Sequence, residues 1–526
     1  SLIGFVDIEE IEFDFINKQK TLSSWLGKSK VEWLKNLAKK KQEFKTLPTK
    51  EAVKLKENLI KDLNRAREFL NDKFYDILKS KGIKISKEEF LNLKPFHWGF
   101  EFYEVFDLEK PKEERGFYII IGNPPYGDIL KEAEKDYSEY ELKICDGREG
   151  SYNAASVFIG RSFNLIKKDG FLSYIVPNTI SRITEFSKIR QFILNNFVIH
   201  SIVIEENPFI GVDMEMDTYV FKKHFNKENY IIKILNKNRE IVNKVNVSIF
   251  RKYNRFIYMW DDISEFIWSK SQINVLKSRR GPYVNHKENK SGDFVNTYLY
   301  NHNSIDKYKI KKVMYIKKTK REELRNHKVL SSRNRYRIYR CIWNSEKFYP
   351  GQGIAIILNS DGSEPDKSIV SVLNSKLMDF VCRRYIFNMH NKPSNLQLDV
   401  TSFTPIRTNY NKIVFSILCD YMLFLNATEE RRRGEKELID FIDKQIIDSL
   451  VYELYLKEKF EQDGIKTNLL QLVEPYLKDI ENLKSDEEKL KKIKQVVEKI
   501  KNDKKIIEQI EKIKSHPWVK KIEGWK

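Results

Sequence analysis

The sequence is poor in cysteine and histidine. Four of its 526 residues are cysteine (Cys145, Cys341, Cys382 and Cys419), and no two of them form a CxxC pair. This argues against a disulfide framework and fits a reducing cytoplasm, where we place the chain. The eight histidines are scattered, with no HxxxH pair, so we predict no metal site.

Long apolar stretches are also missing. A membrane-spanning helix needs roughly 20 apolar residues, and the longest runs, at 171–176 and 353–358, are far shorter. The first residues, SLIGFVDIEE, lack the basic start of a signal peptide. We therefore predict no membrane association. Because the chain begins with Ser rather than Met, we expect residues to precede Ser1 in the natural protein.

Basic residues, in contrast, are abundant. Lys and Arg total 95 against 75 acidic residues, which gives a formal net charge of +20. Such an excess suits an anionic partner such as nucleic acid. The alternative is a Lys- and Glu-rich composition of the kind that hyperthermophiles use, since much of the Lys lies beside Glu on predicted helices. Charge alone leaves both interpretations open.

Hydrophobic periodicity predicts an α/β fold. Apolar residues recur at helical spacing over about 27–82, where Gly82 is a plausible C-cap, and helices return beyond about 430. Short apolar runs at 117–121 and 171–176 predict buried strands, and 153–170 predicts an amphipathic helix that ends at Gly170. This alternation of strand and helix is typical of a parallel sheet.

The most specific pattern is the tetrapeptide Asn123-Pro124-Pro125-Tyr126. It follows the run 117–121, which predicts a strand buried on both faces, and α/β sheets bind ligands at the carboxyl ends of their strands. The prolines make the loop rigid. The Asn123 amide oxygen and the Pro124 carbonyl can both accept hydrogen bonds, and Tyr126 offers a face for stacking a planar base.

Such a loop suits methyl transfer to an exocyclic amine. The lone pair of adenine N6 is conjugated into the ring, so acceptors that hold the amine as it becomes pyramidal favour the reaction. The reaction is a direct displacement at carbon, so positioning dominates. In duplex DNA the base must first be flipped out of the stack. A purely structural Pro-Pro turn is the alternative, which the strands and helix around the loop disfavour.

The stretch GFYIIIGNPPYG resembles motif IV of the gamma-class N6-adenine DNA methyltransferases, especially the type IIG restriction–modification enzymes. The resemblance implies that Asn123, Pro124 and Tyr126 are catalytic and that Pro125 helps to bind the substrate. It implies S-adenosylmethionine as the methyl donor and double-stranded DNA as the substrate. The family usually has Asp at the position of Tyr118, so this chain departs from it there.

Further stretches extend the resemblance over most of residues 1–456. ENPFIGVDMEMDTYVF places Phe209 where the family has an aromatic side chain that packs on the flipped base. SIVSVLNSKLMDFVCRRY and SFTPIRT resemble the family's target-recognition domain. The implied fold is α/β: a partial Rossmann-like methyltransferase sheet, with a mixed α+β recognition domain and helical segments.

The resemblance implies four parts. They are a motif III remnant with a helical insertion (1–115), the substrate half of the methyltransferase domain (116–224), a DNA target-recognition domain (225–430) and a C-terminal helical tail (431–526).

A basic segment lies within the predicted recognition domain. Residues 307–340 contain fourteen Lys or Arg and two acidic residues, with Tyr308, Tyr315, Tyr336 and Tyr339 interleaved. Basic and aromatic side chains together suit a surface that follows DNA phosphates; a solvated charged face is the alternative. We predict DNA contacts at Lys317, Lys318, Lys320, Arg333, Arg335 and Arg337.

The cofactor motif of the family is not found. Residues 1–4 resemble the end of the motif III strand, so we expect the chain to begin after the Gly-rich motif I. The one GxG, Gly351-Gln352-Gly353, precedes a strand-like run and lacks the helix N-terminus that would receive the cofactor. We therefore expect an upstream half to complete the cofactor site. No D…ExK pattern predicts nuclease activity on this chain.

Two alternatives to a DNA-adenine methyltransferase stay open. One is a non-catalytic DNA-specificity subunit, or a fragment that needs an upstream half. The other is an NPPY methyltransferase that acts on RNA or on glutamine side chains of proteins. The net charge and the resemblance to a recognition domain favour DNA.

Overall fold

A computed structural model describes most of the chain. The described residues are 23–46, 48–107, 110–144, 150–211, 214–224, 228–282, 296–299, 302–311, 314–316, 322–333, 339–389 and 398–525. Their contacts define two compact units, Ser1–Phe256 and Ile257–Lys526. The sheet of the first unit continues beyond residue 224, and the division into four parts stays a prediction.

The first unit begins with the predicted helical hairpin. Helix α1 (Ser23–Thr46) and helix α2 (Thr49–Ser80) are separated around Pro48, whose ring cannot continue a helix interior. Gly82 follows α2 with a φ of 78° and donates its N–H to the Lys79 carbonyl, so the predicted C-cap is confirmed. Two short helices follow, α3 (Lys87–Asn92) and α4 (Trp98–Glu101). The shared core contains Leu34, Leu37, Leu70, Phe74, Leu78, Phe90 and Phe100.

His97 is buried beside this helical core. Its Nε2 lies 2.8 Å from the Asn71 Oδ1, and its ring packs edge-on against Phe74. Burial lowers the pKa of His97 from 6.5 to about 4, while the nearby Glu101 raises it and Arg67 lowers it. The imidazole is therefore neutral in the folded protein at neutral pH.

The stability of this region is expected to fall in acid. The pKa of His97 lies lower in the folded chain than in the unfolded chain, so the unfolded chain binds the extra proton as pH falls from about 6.5 to about 4. The free energy of unfolding at pH 4 should be roughly 3 kcal/mol lower than at neutral pH. We expect His97→Gln to remove this part of the pH dependence, measured as urea midpoints at pH 4.5 and 7.5. An equal acid loss in the variant would contradict the assignment.

A six-stranded sheet forms the rest of the first unit. Its order is β1-β2-β4-β3-β5-β6. β1, β2, β3 and β5 run parallel, whereas β4 runs antiparallel between β2 and β3, and β6 is antiparallel to β5. The predicted α/β class is confirmed, with a mixed sheet. The strands are β1 (Phe117–Gly122), β2 (Ile166–Pro177), β3 (Phe197–Glu206), β4 (Met216–Lys223), β5 (Ile231–Leu235) and β6 (Ile241–Asn246).

Three helices lie between these strands in the chain, and a fourth follows β6. They are α5 (Glu132–Leu142), α6 (Ala154–Leu165), α7 (Ser187–Asn196) and α8 (Val247–Tyr253). The predicted helix at 153–170 is too long, because α6 ends at Leu165 and β2 begins at the next residue. Gly170 is therefore not a helix C-cap. A Cβ at Gly170 would lie 2.9 Å from the Tyr118 carbonyl oxygen, so glycine is needed where β2 passes close to β1.

Strand β1 lies at the edge of the described sheet. Among the described residues it pairs with β2 alone. Its side chains Tyr118, Ile119 and Ile121 are 56%, 59% and 79% exposed. The prediction of a strand buried on both faces is therefore wrong for the described residues. An apolar run indicates that a strand is to be covered, but it does not say which residues cover it.

The second unit combines small sheets with many helices. A four-stranded antiparallel sheet has the order β13-β12-β15-β7, and smaller sheets have the orders β11-β8-β14 and β10-β9. The strands are β7 (Leu276–Arg280), β8 (Asn296–Leu299), β9 (Ile305–Asp306), β10 (Lys309–Ile310), β11 (Met314–Ile316), β12 (Val329–Ser332), β13 (Cys341–Trp343), β14 (Tyr349–Pro350) and β15 (Ile354–Asn359).

The helices of the second unit cluster toward its end. They are α9 (Asp262–Ser269), α10 (Ser368–Leu373), α11 (Lys376–Val381), α12 (Leu398–Phe403), α13 (Lys412–Leu425), α14 (Glu429–Gly434), α15 (Lys436–Asp440), α16 (Asp448–Gln462), α17 (Leu469–Val473), α18 (Asp486–Asn502), α19 (Lys504–Ser515) and α20 (Pro517–Glu523). α19 buries Ile506, Ile510 and Ile513 at helical spacing and contacts α16 and α17. No helix in the described ranges is both long and apolar enough to cross a membrane.

Candidate functional site

Three loops leave the first sheet at one edge. Because β1, β2 and β3 are parallel, their carboxyl ends lie on the same side, and the antiparallel β4 begins there. Met216, the first residue of β4, pairs with both Pro177 and Glu206. We call this side of the sheet the loop edge. It carries residues 123–127, 178–182, 207–211 and 214–215.

The predicted catalytic tetrapeptide lies on the loop edge. Asn123 and Pro125 are exposed, Pro124 is buried and Tyr126 is half-buried. Among the described residues, neither the Asn123 amide nor the Pro124 carbonyl has a hydrogen-bond partner. Neither acceptor is therefore engaged by another described residue, and the Asn123 side chain is exposed. The loop follows β1, as predicted, and its chemical role stays a prediction.

The tetrapeptide is anchored on both sides. Gly127, with a φ of 97°, accepts a hydrogen bond of 3.0 Å from the Ala154 N–H at the start of α6. On the other side, Gly122 pairs with Tyr174, and a Cβ at Gly122 would lie 3.5 Å from the Tyr174 ring. The Tyr174 hydroxyl lies 2.8 Å from the Ser162 Oγ on α6. The loop is thus fixed to both β2 and α6, which suits a site that works by positioning.

Phe209 reaches the same loop edge from a different part of the chain. It lies in the connection from β3 to β4 and is half-buried, while the neighbouring Ile210 is fully exposed. Glu206 and Gly211 adopt left-handed φ angles of 60° and 78°, which shape the turn around it. The fold therefore brings Phe209 and Asn123 to one side of the sheet, and the packing of Phe209 on a base stays a prediction.

The sequence analysis missed three buried polar residues at this edge. Asn178, Glu215 and Asp217 are at most 5% exposed. The Asn178 N–H donates to the Glu215 carbonyl over 3.2 Å, and its Nδ2 lies 3.4 Å from the Glu215 Oε2. Buried polar groups are costly unless they are bonded, so this pairing fixes the loop after β2 to the start of β4. The signal was present: Asn follows the strand-ending Pro177, and two acids interrupt MEMDTYVF.

The predicted DNA contacts are only partly described. Lys317, Lys318, Lys320, Arg335 and Arg337 lie outside the described residues. Arg333 is described and is 9% exposed, and burial lowers the pKa of its guanidinium.

Arg333 is held by backbone contacts. Its Nη1 donates to the Gln352 carbonyl over 3.1 Å, and its N–H donates to Gly353. Its contact with DNA stays a prediction, and the structure gives it an internal anchoring role.

Lys307, Tyr308, Lys309 and Tyr339 of the same segment, 307–340, face inward. Lys307 forms an ion pair of 2.6 Å with Asp443, and Lys309, 3% exposed, pairs with Glu429. Tyr308 is buried in the core, as is Tyr339. The interpretation of these side chains as a surface that follows phosphates is therefore wrong. Their partners come from a segment more than a hundred residues away, which the local pattern cannot reveal.

The described residues do not form a cradle for S-adenosylmethionine. Such a cradle needs a Gly-rich turn that leads from a strand into a helix N-terminus. Gly351-Gln352-Gly353 leads into β15 instead, as predicted. A Cβ at Gly281 would lie 2.2 Å from the Gly351 carbonyl oxygen, so Gly281 is needed where this turn packs against β7. Within the described ranges, the loop edge offers two acceptors for an amine.

Residues 6–209 match the family model described as Eco57I restriction-modification methylase. The matched span includes the helical hairpin, the first three strands of the sheet, the tetrapeptide after β1 and Phe209.

Curated proteins show the same likeness. The Methanocaldococcus jannaschii protein RM.MjaORFECS2P, whose name describes a type II restriction enzyme and methyltransferase, is 23% identical over 439 residues, which cover 75% of this chain and 35% of that protein. RM.Eco57I of Escherichia coli, a type II restriction enzyme and methyltransferase, is 26% identical over 161 residues, which cover 30% of this chain and 14% of that protein. The Thermus thermophilus type II methyltransferase M.TthHB8I is 35% identical over 111 residues, which cover 20% of this chain and 24% of that protein. The chain thus spans about a third of the length of the first of these relatives.

Similar solved structures come from restriction–modification enzymes. The type IIG restriction endonuclease BpuSI is 13% identical, with 64% of this chain and 54% of that chain covered and a TM-score of 0.27. A nuclease-deletion mutant of the type ISP enzyme LlaGI, in complex with a DNA substrate mimic, is 11% identical. The match covers 67% of this chain and 38% of that chain, with a TM-score of 0.38.

Proposed function

We propose that this chain, whose residues 6–209 match the Eco57I restriction–modification methylase family, directs methyl transfer from S-adenosylmethionine to the N6 amine of an adenine flipped out of double-stranded DNA. One observation carries the proposal. The Asn123 amide and the Pro124 carbonyl lie side by side in the chain at the carboxyl end of a strand, without partners among the described residues. Two such acceptors can bind the two hydrogens of one exocyclic amine.

These acceptors act on the amine and not on the methyl donor. As N6 attacks the methyl carbon and the bond from that carbon to sulfur breaks, positive charge develops on N6, and two oriented acceptors stabilise that charge without reorganising. They also direct the nitrogen lone pair away from the ring. Tyr126 and Phe209 supply aromatic faces that replace the base stacking lost on flipping. S-adenosylmethionine would supply the electrophilic methyl group.

An upstream half is proposed to complete the cofactor site. Strand β1 exposes Tyr118 on one face and Ile119 and Ile121 on the other. Strands with bare apolar faces at an open edge pair readily with a further strand. A strand that pairs with β1 and carries its own helix would cover these side chains. A Gly-rich turn on that strand could then lie beside Asn123.

The test is transfer of labelled methyl from S-adenosylmethionine to mixed-sequence duplex DNA. We would compare this chain alone, the chain with its upstream segment, and the upstream segment alone. The expected result is label only in the combined sample, recovered as N6-methyladenine after the DNA is digested to nucleosides. No label in any sample, with duplex DNA still bound, would contradict the catalytic proposal and leave a DNA-specificity subunit.

The same assay separates the rival substrates. RNA and a glutamine-containing peptide would be offered to the combined sample in place of DNA. Label in either of them but not in duplex DNA would contradict the DNA proposal and assign the tetrapeptide to another amine or amide. The net charge of +20 supports a nucleic acid over a peptide.

A further inference from the structure

Arg280 is an exposed arginine that the structure holds in one orientation. It ends β7, which lies at the edge of the four-stranded sheet among the described strands. Its Nε donates to the Gln352 carbonyl over 3.1 Å, and its Nη2 donates to the Gln352 Oε1 over 3.0 Å. A single residue thus occupies one side of the planar guanidinium. Long exposed side chains usually move among several rotamers, so this contact fixes a group that would otherwise be mobile.

The opposite side of the Arg280 guanidinium is available. A guanidinium has five N–H donors, and Gln352 uses one on Nε and one on Nη2. The outer fork, made by Nη1 and the second hydrogen of Nη2, has no partner among the described residues. No described carboxylate pairs with Arg280 either. This fork matches two acceptors that lie side by side in one plane.

The backbone behind Gln352 is rigid. Gly281 approaches the Gly351 carbonyl so closely that a Cβ would lie 2.2 Å from its oxygen. The Gly281 N–H donates to the Ile354 carbonyl over 3.0 Å, and the Ile354 N–H donates to Gly351 over 2.9 Å. β7 and β15 are therefore joined where Arg280 and Gln352 meet. A fork placed on rigid strands can discriminate between ligands better than one on a loop.

A second guanidinium adds charge at this point. The Arg333 Nη1 also donates to the Gln352 carbonyl, over 3.1 Å. Burial lowers the pKa of Arg333, and the positive charge of Arg280 lowers it further. Two cations that share one carbonyl make the position attractive to an electron-rich group. In DNA, the major-groove edge of guanine presents such a group as the O6 and N7 acceptors, in one plane and at the spacing of the arginine fork.

We propose that Arg280 reads a guanine base in duplex DNA and that Gln352 is the positioning residue that holds its fork. The proposal rests on the proposed function, because it needs DNA as the substrate, and it adds a residue to the recognition of the target. It differs from a phosphate contact in one respect. A base contact acts at one position of the target sequence, whereas a phosphate contact weakens binding to all sequences alike.

Arg279 offers a matched control. It is the neighbour of Arg280 on β7 and is equally classed as exposed, but successive strand residues point to opposite faces. Its guanidinium contacts the His327 Nε2, while the His327 Nδ1 lies 2.6 Å from the Glu364 Oε1. Arg279 thus belongs to a network with a carboxylate. Arg279→Lys should leave base preference unchanged.

The experiment selects bound duplexes from a randomised library with the full chain and sequences them. Wild type, Arg280→Lys, Gln352→Ala and Arg279→Lys would be compared, with circular dichroism to check folding. Arg280→Lys keeps the charge but loses the fork. We expect wild type to enrich a motif with at least one guanine, and Arg280→Lys to lower the preference for that guanine by roughly tenfold to a hundredfold. Gln352→Ala should weaken the same position less strongly.

Three results would overturn the inference. An unchanged motif with Arg280→Lys would show that Arg280 reads no base. Weaker binding to every sequence, with the motif preserved, would assign Arg280 to a phosphate. Equal loss of preference with Arg279→Lys would show that charge on β7, and not the fork, matters. If wild type enriched no sequence at all, the proposed function in DNA recognition would fail together with this inference. If wild type enriched a motif that Arg280→Lys left unchanged, this inference alone would fail. The two failures are therefore distinguishable.

Discussion

Asn123→Ala, tested in the chain combined with its upstream segment, is expected to lower the rate of methyl transfer to duplex DNA by roughly a hundredfold or more. The substitution removes one of two acceptors that orient the amine and stabilise charge on it in the transition state. Contacts made only in the transition state act on kcat, and DNA binding should therefore change little. The measurement is single-turnover transfer of labelled methyl, with duplex binding determined in parallel.

The stability of this variant should be close to that of the wild type. Asn123 is exposed and has no hydrogen bond to the described residues, so its truncation should change the free energy of unfolding by less than about 0.5 kcal/mol. Asn123→Asp keeps an acceptor oxygen at the same distance from the backbone and should restore part of the rate. Equal rates for wild type and Asn123→Ala would remove Asn123 from the catalytic group. Failure of both variants to bind DNA would point to a structural role instead.

The tetrapeptide could be predicted from sequence because its geometry is local. Two consecutive prolines restrict their own backbone, and a strand that ends before them fixes where the loop leaves the sheet. Phe209 was identified through the family resemblance, and the sheet has it on the same side as Asn123. Asn178 and Glu215 were missed because their pairing depends on β2 and β4 being neighbours, although β3 separates them in the sequence.

Predictions that depended on distant partners were less successful. The run 117–121 indicated a covered strand, but the described residues leave Tyr118, Ile119 and Ile121 exposed. The basic segment 307–340 indicated a charged surface, but Lys307 and Lys309 pair with acids at 443 and 429. In both cases composition gave the chemical character of the residues correctly. Tertiary neighbours decide whether the apolar side chains are covered, and the charged ones paired, within the chain or by a partner.

Gly116→Ala is expected to cost about 3 kcal/mol or more in the free energy of unfolding. Gly116 precedes β1 and has a φ of 113°, in a region that side chains avoid. A Cβ there would also lie 2.7 Å from the Leu165 carbonyl oxygen and 2.7 Å from the Lys167 N. Both contacts are with backbone at the junction of α6 and β2, which cannot turn aside as a flexible side chain can. The variant must therefore move β1 relative to β2.

Gly82→Ala separates the two causes of this loss. Gly82 also has a positive φ, of 78°, which side chains avoid. A Cβ at this residue, however, would meet no other atom within 4 Å. Gly82→Ala should lower the free energy of unfolding by only about 1 kcal/mol, because backbone strain is its single cost. Urea denaturation of both variants measures the difference, and equal losses would contradict a steric role for Gly116. Because β1 leads directly to Asn123, Gly116→Ala should also slow methyl transfer under conditions where the chain is still folded, whereas Gly82→Ala should not.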